Sequence, residues 1–227
     1  IGLLGGISPV STKYYYDLLN ERARARLGAR HSARCLIHTV DFAVVEDCQV
    51  RGDWPGVTRE LERAAESLEA GGADFLILAC NTMHHVAAQV AASVDIPFLH
   101  IGDAAAQSIQ SEGHRRVGLL GTRFTMRATF LRDRLEAAGL DVIIPEPDER
   151  QLVHDVIFDE LCEGRFRPES RDAYVQVITG MAEQQGADAV VLGCTEIGLL
   201  LGDAPLPIPA FDTSRTHVAA AHAWAFG

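Results

Sequence analysis

The chain has 227 residues, 48% of them hydrophobic, and a formal net charge of −11. That length holds one large domain or two small ones with ample core. The acidic balance argues against a nucleic-acid partner, since phosphate contacts rely on basic surface, and no apolar run nears the ~20 residues of a membrane span.

In chain order, Leu3-Leu4 reads as a short buried strand. A helix over about Pro9 to Leu27 follows; Ser8 can cap it and Pro9 suits its first turn. Cys35 to Val40 reads as a strand. Val57 to Glu69 has helical spacing, with Leu61, Ala64, Ala65 and Leu68 on one face, and Gly71-Gly72 ends it. Phe75 to Leu78 is a continuous apolar strand, the kind a parallel sheet covers on both faces. His84 to Val94 reads as helix and Pro97-Phe98-Leu99 as the next strand. The second half predicts a strand at 117–120, a helix from about Met126 to Ala138 and a strand at Val142-Ile143-Ile144. Helices near 150–163 and 170–185, a strand at 189–192 and a closing strand and helix over 208–226 complete it. Alternating strands and helices imply an α/β fold of parallel sheets with right-handed crossovers.

Three segments recur in the same order. Ile1-Gly2-Leu3-Leu4-Gly5 matches Val117-Gly118-Leu119-Leu120-Gly121. The run from Gly72-Ala73-Asp74 to Cys80 matches that from Gly186-Ala187-Asp188 to Cys194, and Ile96-Pro97 matches Ile208-Pro209. The spacing between copies shrinks smoothly along the chain, as loop-length changes between two copies of one unit would produce.

The five cysteines (35, 48, 80, 162 and 194) show no CxxC spacing, so reduced thiols are expected, and no Cys/His cluster has zinc spacing. With no signal-peptide pattern, a cytoplasmic location follows, and the start at Ile1 suggests a trimmed N-terminus. Lys13, the one lysine, sits early in a helix and reads as a surface residue, which argues against pyridoxal-phosphate chemistry.

Ligands of open parallel sheets bind beyond the carboxyl ends of the strands. Gly5-Gly6-Ile7-Ser8, Cys80, Gly121-Thr122-Arg123-Phe124-Thr125 and Cys194 all fall there. Gly5-Gly6 lets a backbone approach a ligand closely, and the helix behind Ser8 directs free N–H groups at that spot; the plain reading is an ordinary turn. Cys80 and Cys194 read singly as small buried hydrophobes. As a matched pair they suit acid/base work on opposite faces of one carbon, one as thiolate and one as thiol. Stabilising the resulting carbanion needs hydrogen-bond donors, which Asn81, Thr82, Thr122, Thr125 and Thr195 supply. His84, Glu196, His100 and Asp212 lie near these ends, where His84 and Glu196 can orient groups or tune a thiol; His85, His217 and His222 read as plain helix residues. Cys48 to Asp53 reads as a polar loop in which Arg51 either clamps a second carboxylate or is solvated. Tyr14-Tyr15-Tyr16 reads as core packing, and Glu146-Pro147-Asp148-Glu149 as a solvated turn.

Gly5-Gly6-Ile7-Ser8-Pro9 with Ser11-Thr12, Cys80-Asn81-Thr82-Met83-His84 and Gly193-Cys194-Thr195-Glu196 resemble the aspartate/glutamate racemase superfamily, most nearly its aspartate racemase branch. The resemblance spans the whole chain. It implies two pseudo-symmetric domains, each a three-layer α/β/α unit with a parallel sheet, and an active site in the interdomain cleft. It places residues 1–100 with 208–227 in the first domain and 101–207 in the second. It implies no cofactor, an acidic amino acid as substrate, and a homodimer. It assigns Cys80 and Cys194 as the acid/base pair, and Ile7, Ser8, Gln49, Asn81, Thr82, Thr122, Thr195 and Glu196 to substrate binding, with Thr125 and Arg51 as further candidates. Gly6-Ile7 and Glu196 depart from the glutamate racemase branch, which carries Asp-Ser and a histidine at those places. The second-domain lysine of some aspartate racemases is also missing, leaving Arg165 as a possible substitute.

The expected activity is racemisation of aspartate, with glutamate second, by two thiols. Rival readings are a related superfamily reaction (maleate isomerase, arylmalonate decarboxylase or hydantoin racemase type) and a catalytically silent protein that binds acidic amino acids.

Overall fold

The computed structural model describes residues 1–127 and 129–226. Ala128, inside the helix expected from Met126, lies outside them. The first half runs β1 (Gly2–Gly5), α1 (Pro9–Leu27), β2 (Leu36–Thr39), α2 (Phe42–Val50), α3 (Trp54–Ala70), β3 (Leu76–Leu78), a 3-10 turn (Thr82–Val86) and α4 (Ala87–Ala92). The second runs α5 (Ile101–Ser111), β4 (Arg116–Leu120), α6 (Arg123–Arg127), α7 (Thr129–Ala137), β5 (Asp141–Ile143), α8 (Pro147–Asp159), a 3-10 turn (Leu161–Glu163), α9 (Pro168–Gln185), β6 (Ala189–Leu192), α10 (Thr195–Leu201), β7 (Ala210–Asp212) and α11 (Thr213–Phe226). The chain divides into two compact units, Ile1–Ile101 with the segment from His217, and Gly102–Thr216.

Both units are parallel α/β structures. The first sheet is ordered β2-β1-β3 and the second β5-β4-β6-β7. In the first unit the alternation of a strand sorts side chains onto two faces. Leu4, Leu76 and Leu78 meet Leu61, Ala64, Ala65 and Leu68 of α3, while Leu3 and Ile77 meet Tyr15, Leu18 and Leu19 of α1 and Val218 and Ala221 of α11. In the second unit Leu120, Val190 and Leu192 pack on α8, α9 and α10 through Val153, Tyr174, Ile178, Met181 and Ile197. The repeated glycines of β1 and β4 have a packing reason. A Cβ on Gly2 would come within 2.7 Å of Leu76 Cδ2, and one on Gly118 within 2.7 Å of Met181 Cε.

Several elements differ from expectation. The first half of the stretch Cys48 to Asp53 is helix, the end of α2: Asp41 caps α2 by accepting from Ala43 N–H at 3.1 Å, and Gln49 falls in its last turn. Pro97-Phe98-Leu99 forms a single bridge, Leu76 to Phe98, and no named strand. Its counterpart β7 pairs fully with β6, from Val190 opposite Ala210 to Leu192 opposite Asp212. The closing strand therefore sits in the second sheet, not with the first domain; only the chain from His217 returns to the first unit. The acidic run at Glu146 opens α8, where the Glu149 carboxylate accepts the Glu146 N–H at 3.1 Å. Of the three tyrosines, Tyr15 is fully buried but Tyr16 is exposed.

His217 is no plain helix residue. It is fully buried, with Nδ1 3.0 Å from the Tyr15 hydroxyl and Nε2 3.0 Å from the Leu99 carbonyl. Desolvation holds its pKa down at about 4, against 6.5 for an ordinary histidine. As pH falls below 6.5 the unfolded chain takes up this proton before the folded one does. The stabilisation is complete above that pH and is lost on the way down to about 4, a change of about 3 kcal/mol. In urea denaturation the stability gap between the wild type and His217→Gln should narrow by about that amount between pH 7 and pH 4.

Candidate active site

Each unit brings a cysteine to the carboxyl ends of its parallel strands. In the first, β1 ends at Gly5-Gly6. A Cβ on Gly5 would lie 2.6 Å from Thr12 Cγ2, and one on Gly6, whose φ is +97°, would lie 2.2 Å from the Val40 carbonyl oxygen. Only glycine fits there. The Gly6 N–H donates to Thr12 Oγ1 at 2.7 Å, Thr12 donates to the Ser8 carbonyl at 2.9 Å, and the Ser8 hydroxyl accepts the Ser11 N–H at 3.3 Å as the cap of α1. The Ile7–Ser8 peptide is cis. Ile7 and Ser8 are both buried.

The neighbouring strand β3 stops just before Cys80. Ser11 Oγ donates to the Ala79 carbonyl at 2.6 Å, fastening α1 to this end. Cys80 is half-buried, and Asn81 and Thr82 behind it are buried where the 3-10 turn begins. His84 is buried rather than a surface histidine: Nδ1 lies 2.8 Å from the Cys80 carbonyl, and Nε2 lies 3.2 Å from the Ile101 amide nitrogen.

The second unit repeats the plan with other side chains. A Cβ on Gly121 would lie 2.9 Å from Thr125 Cβ, so Thr125 sits over the end of β4 as Thr12 sits over the end of β1. Thr122 Oγ1 accepts the Thr125 N–H at 3.2 Å and lies 3.1 Å from Thr125 Oγ1; both residues are buried. Thr213 Oγ1 donates to the Leu192 carbonyl at 2.8 Å, holding the end of β6. Cys194 occupies the cap position of α10 with Thr195 and Glu196 buried after it. Its Sγ donates to Glu196 Oε2 at 3.1 Å. Burial and then the negative charge of Glu196 push the Cys194 thiol well above the ordinary cysteine range. At neutral pH this sulfur is a thiol.

Two anticipated ligands stand differently. Gln49 is half-buried on α2, in the unit that holds Cys80. Arg51, at the end of that helix, is exposed and paired with Asp47 at 2.7 Å. An exposed pair of this kind is worth under about 1 kcal/mol, so it leaves the guanidinium able to exchange partners. Arg165 pairs with Glu163 at 2.7 Å. Ser11, Thr12, Tyr15 and His217 had no assigned role, although hydroxyls three and four residues after the Ser8 cap share one helix face. Among the described residues no group of three or more His, Cys, Asp or Glu side chains is placed to hold a metal ion, and no helix is long and apolar enough to cross a membrane.

The chain belongs to the Asp/Glu/hydantoin racemase family, whose model matches residues 4–221. It is similar to a solved Yersinia pestis protein proposed to be an Asp/Glu racemase, with 42% identity and a TM-score of 0.91 over 100% of this chain and 98% of that one. It is also similar to an aspartate racemase homologue from Pyrococcus horikoshii, at 33% identity and a TM-score of 0.88 over 100% and 98%. The broad specificity amino-acid racemase RacX of Bacillus subtilis is 23% identical over 94% of this chain and 92% of its own.

The environment of Cys194 has a direct test. Glu196→Gln removes the carboxylate charge, so the thiol pKa should fall. Alkylation of Cys194 by iodoacetamide, followed by peptide mass spectrometry across pH, should reach its half-maximal rate at lower pH in the variant. An unchanged or higher midpoint would mean that Glu196 does not hold the proton on Cys194.

Proposed function

We propose that the protein is a cofactor-independent racemase that interconverts L- and D-aspartate, and glutamate second, with Cys80 and Cys194 as its acid/base pair. The observation that carries this reading is the matched placement of the two cysteines, each just beyond the corresponding strand, β3 or β6, of a repeated unit in a chain of this family. In one direction the Cys80 thiolate removes the α-proton and becomes a thiol. Cys194 donates its own proton to the opposite face of the carbanion and becomes a thiolate. The product is the mirror image, and the thiols exchange roles for the reverse reaction. The resting enzyme is then asymmetric, because Glu196 and burial keep Cys194 protonated and ready to act as the acid.

An α-hydrogen is very weakly acidic, so the carbanion must be stabilised through its carboxylate. Asn81 and Thr82 from the first unit, and Thr122, Thr125 and Thr195 from the second, are the donors we assign to it. The N-terminal turn of α1 behind Ile7-Ser8 adds backbone N–H groups and the positive end of a helix. Gln49 or Arg51 is assigned to the side-chain carboxylate. The lone lysine supports chemistry without pyridoxal phosphate: Lys13 Nζ is exposed and paired with Asp17 at 2.7 Å. The proposal includes a cytoplasmic homodimer.

Cys80→Ser and Cys194→Ser should each lower racemisation in at least one direction by about 10³-fold or more, as loss of an essential acid or base does. Chiral chromatography with each enantiomer of aspartate and glutamate measures this, and full activity in both variants would refute the two-thiol mechanism. In deuterated water, L-aspartate should gain deuterium at Cα as the D-isomer forms. Absence of exchange at Cα for both amino acids would reject racemisation of these substrates.

A further inference from the structure

We propose that His84 is a positioning residue for Cys80: a neutral imidazole locked in its Nδ1–H tautomer between the Cys80 carbonyl and the Ile101 amide. The inference rests on the reading of Cys80 as a proton-transfer thiol, and it is carried by hydrogen-bond direction. A carbonyl only accepts, so the 2.8 Å contact to Cys80 O puts the proton on Nδ1. A backbone N–H only donates, so the 3.2 Å contact from Ile101 needs a bare Nε2. Of the three protonation states of imidazole, one satisfies both partners. An imidazolium would set two N–H groups against each other inside the protein.

The ring has no freedom to turn away. It is 2% exposed, and Phe98, His100 and His217 meet it edge-on with centroids 5.7, 4.5 and 5.8 Å away. His217 is fixed in the opposite sense. Its Nε2–H donates to the Leu99 carbonyl and its Nδ1 accepts the Tyr15 hydroxyl, both at 3.0 Å. Two histidines in opposite tautomers thus grip the segment 99–101, one at the Leu99 carbonyl and the other at the Ile101 amide. That segment is fastened to α1 through Tyr15 and to α11 through His217. The orientation of the peptide after Cys80, and with it the placement of Asn81, is referenced through His84 to this rail. His84 carries no proton in the reaction, because both of its nitrogens are committed to backbone.

Nitrogen-15 NMR of the full chain labelled at histidine tests this directly. At pH 7 the His84 spectrum should show a protonated Nδ1 and a bare Nε2, and His217 the reverse. An Nε2–H tautomer or an imidazolium at His84 would overturn the proposal. Kinetics supply a second test. His84→Phe should lower kcat by about 10- to 100-fold, the cost of a reacting group displaced by about an ångström, with KM changed by less than about threefold. His84→Asn places an amide nitrogen near the Nδ1 position, can still donate to the Cys80 carbonyl, and should recover most of that loss. Equal loss in the two variants, or a rise in KM alone, would refute it. Should the wild type racemise neither amino acid, the functional reading falls while the tautomer measurement still decides this one. The rate of Cys80 alkylation by iodoacetamide, altered in His84→Phe and restored in His84→Asn, decides it as well.

Discussion

A side chain two residues beyond a β-strand is only as well placed as the carbonyls that lead up to it, because the ladder that fixed the strand has ended. The placement of Cys80 and of Cys194 depends on how that problem is met. On the Cys80 side the last carbonyls are taken by Ser11 and His84. On the Cys194 side the Leu192 carbonyl is taken by Thr213 and the Gly193 N–H reaches back to the Leu120 carbonyl. Neutral hydrogen bonds of this kind contribute about 1 kcal/mol each, and leaving one of the buried carbonyls bare costs more. Their larger effect is on geometry. Acid/base transfer tolerates little displacement, so rigid backbone near a thiol is worth more to rate than to stability.

The two halves solve the same problem with different residues. Thr12 and Thr125 stand over the glycines that end β1 and β4, a kinship that survives in both sequence and packing. The surroundings of the cysteines have diverged. One sulfur has a carboxylate partner two residues on and is held as a thiol. The other is half-buried, and its own backbone carbonyl is clamped by an imidazole. A repeated scaffold supplies matched placement in the two units, while local side chains hold one of the two sulfurs in its protonated form.

Much of the architecture is written in local patterns. Helix α1 begins at Pro9 after a Ser8 cap because serine and proline favour those positions, and strand β6 is a run of four apolar residues between punctuating neighbours. The repeats marked the two cysteines because equal positions in duplicated units end on equal strands. Contacts remote in sequence carried no such mark. His217 meets Tyr15 and Leu99 from the far end of the chain, so nothing near it in sequence distinguishes it from an ordinary helix residue. The closing strand was misplaced because Ile208-Pro209 looks the same whichever sheet accepts it. Its partner was decided by the free edge of β6, whose Val190 N–H donates to the Pro209 carbonyl at 2.9 Å. Helix α2 was missed because Phe42–Val50 lacks a clean apolar stripe: only Val45 and Cys48 are buried in it.

The hydrogen bond from Cys194 to Glu196 also governs how the sulfur meets oxidants. Peroxide attack and disulfide exchange proceed through the anionic sulfur, and a sulfur kept in its protonated, buried form reacts slowly with either. The carboxylate that holds the proton on this residue therefore also shields it from oxidative ageing. Under aerobic conditions that protection keeps the Cys194 sulfur reduced for longer than an exposed thiolate would stay so.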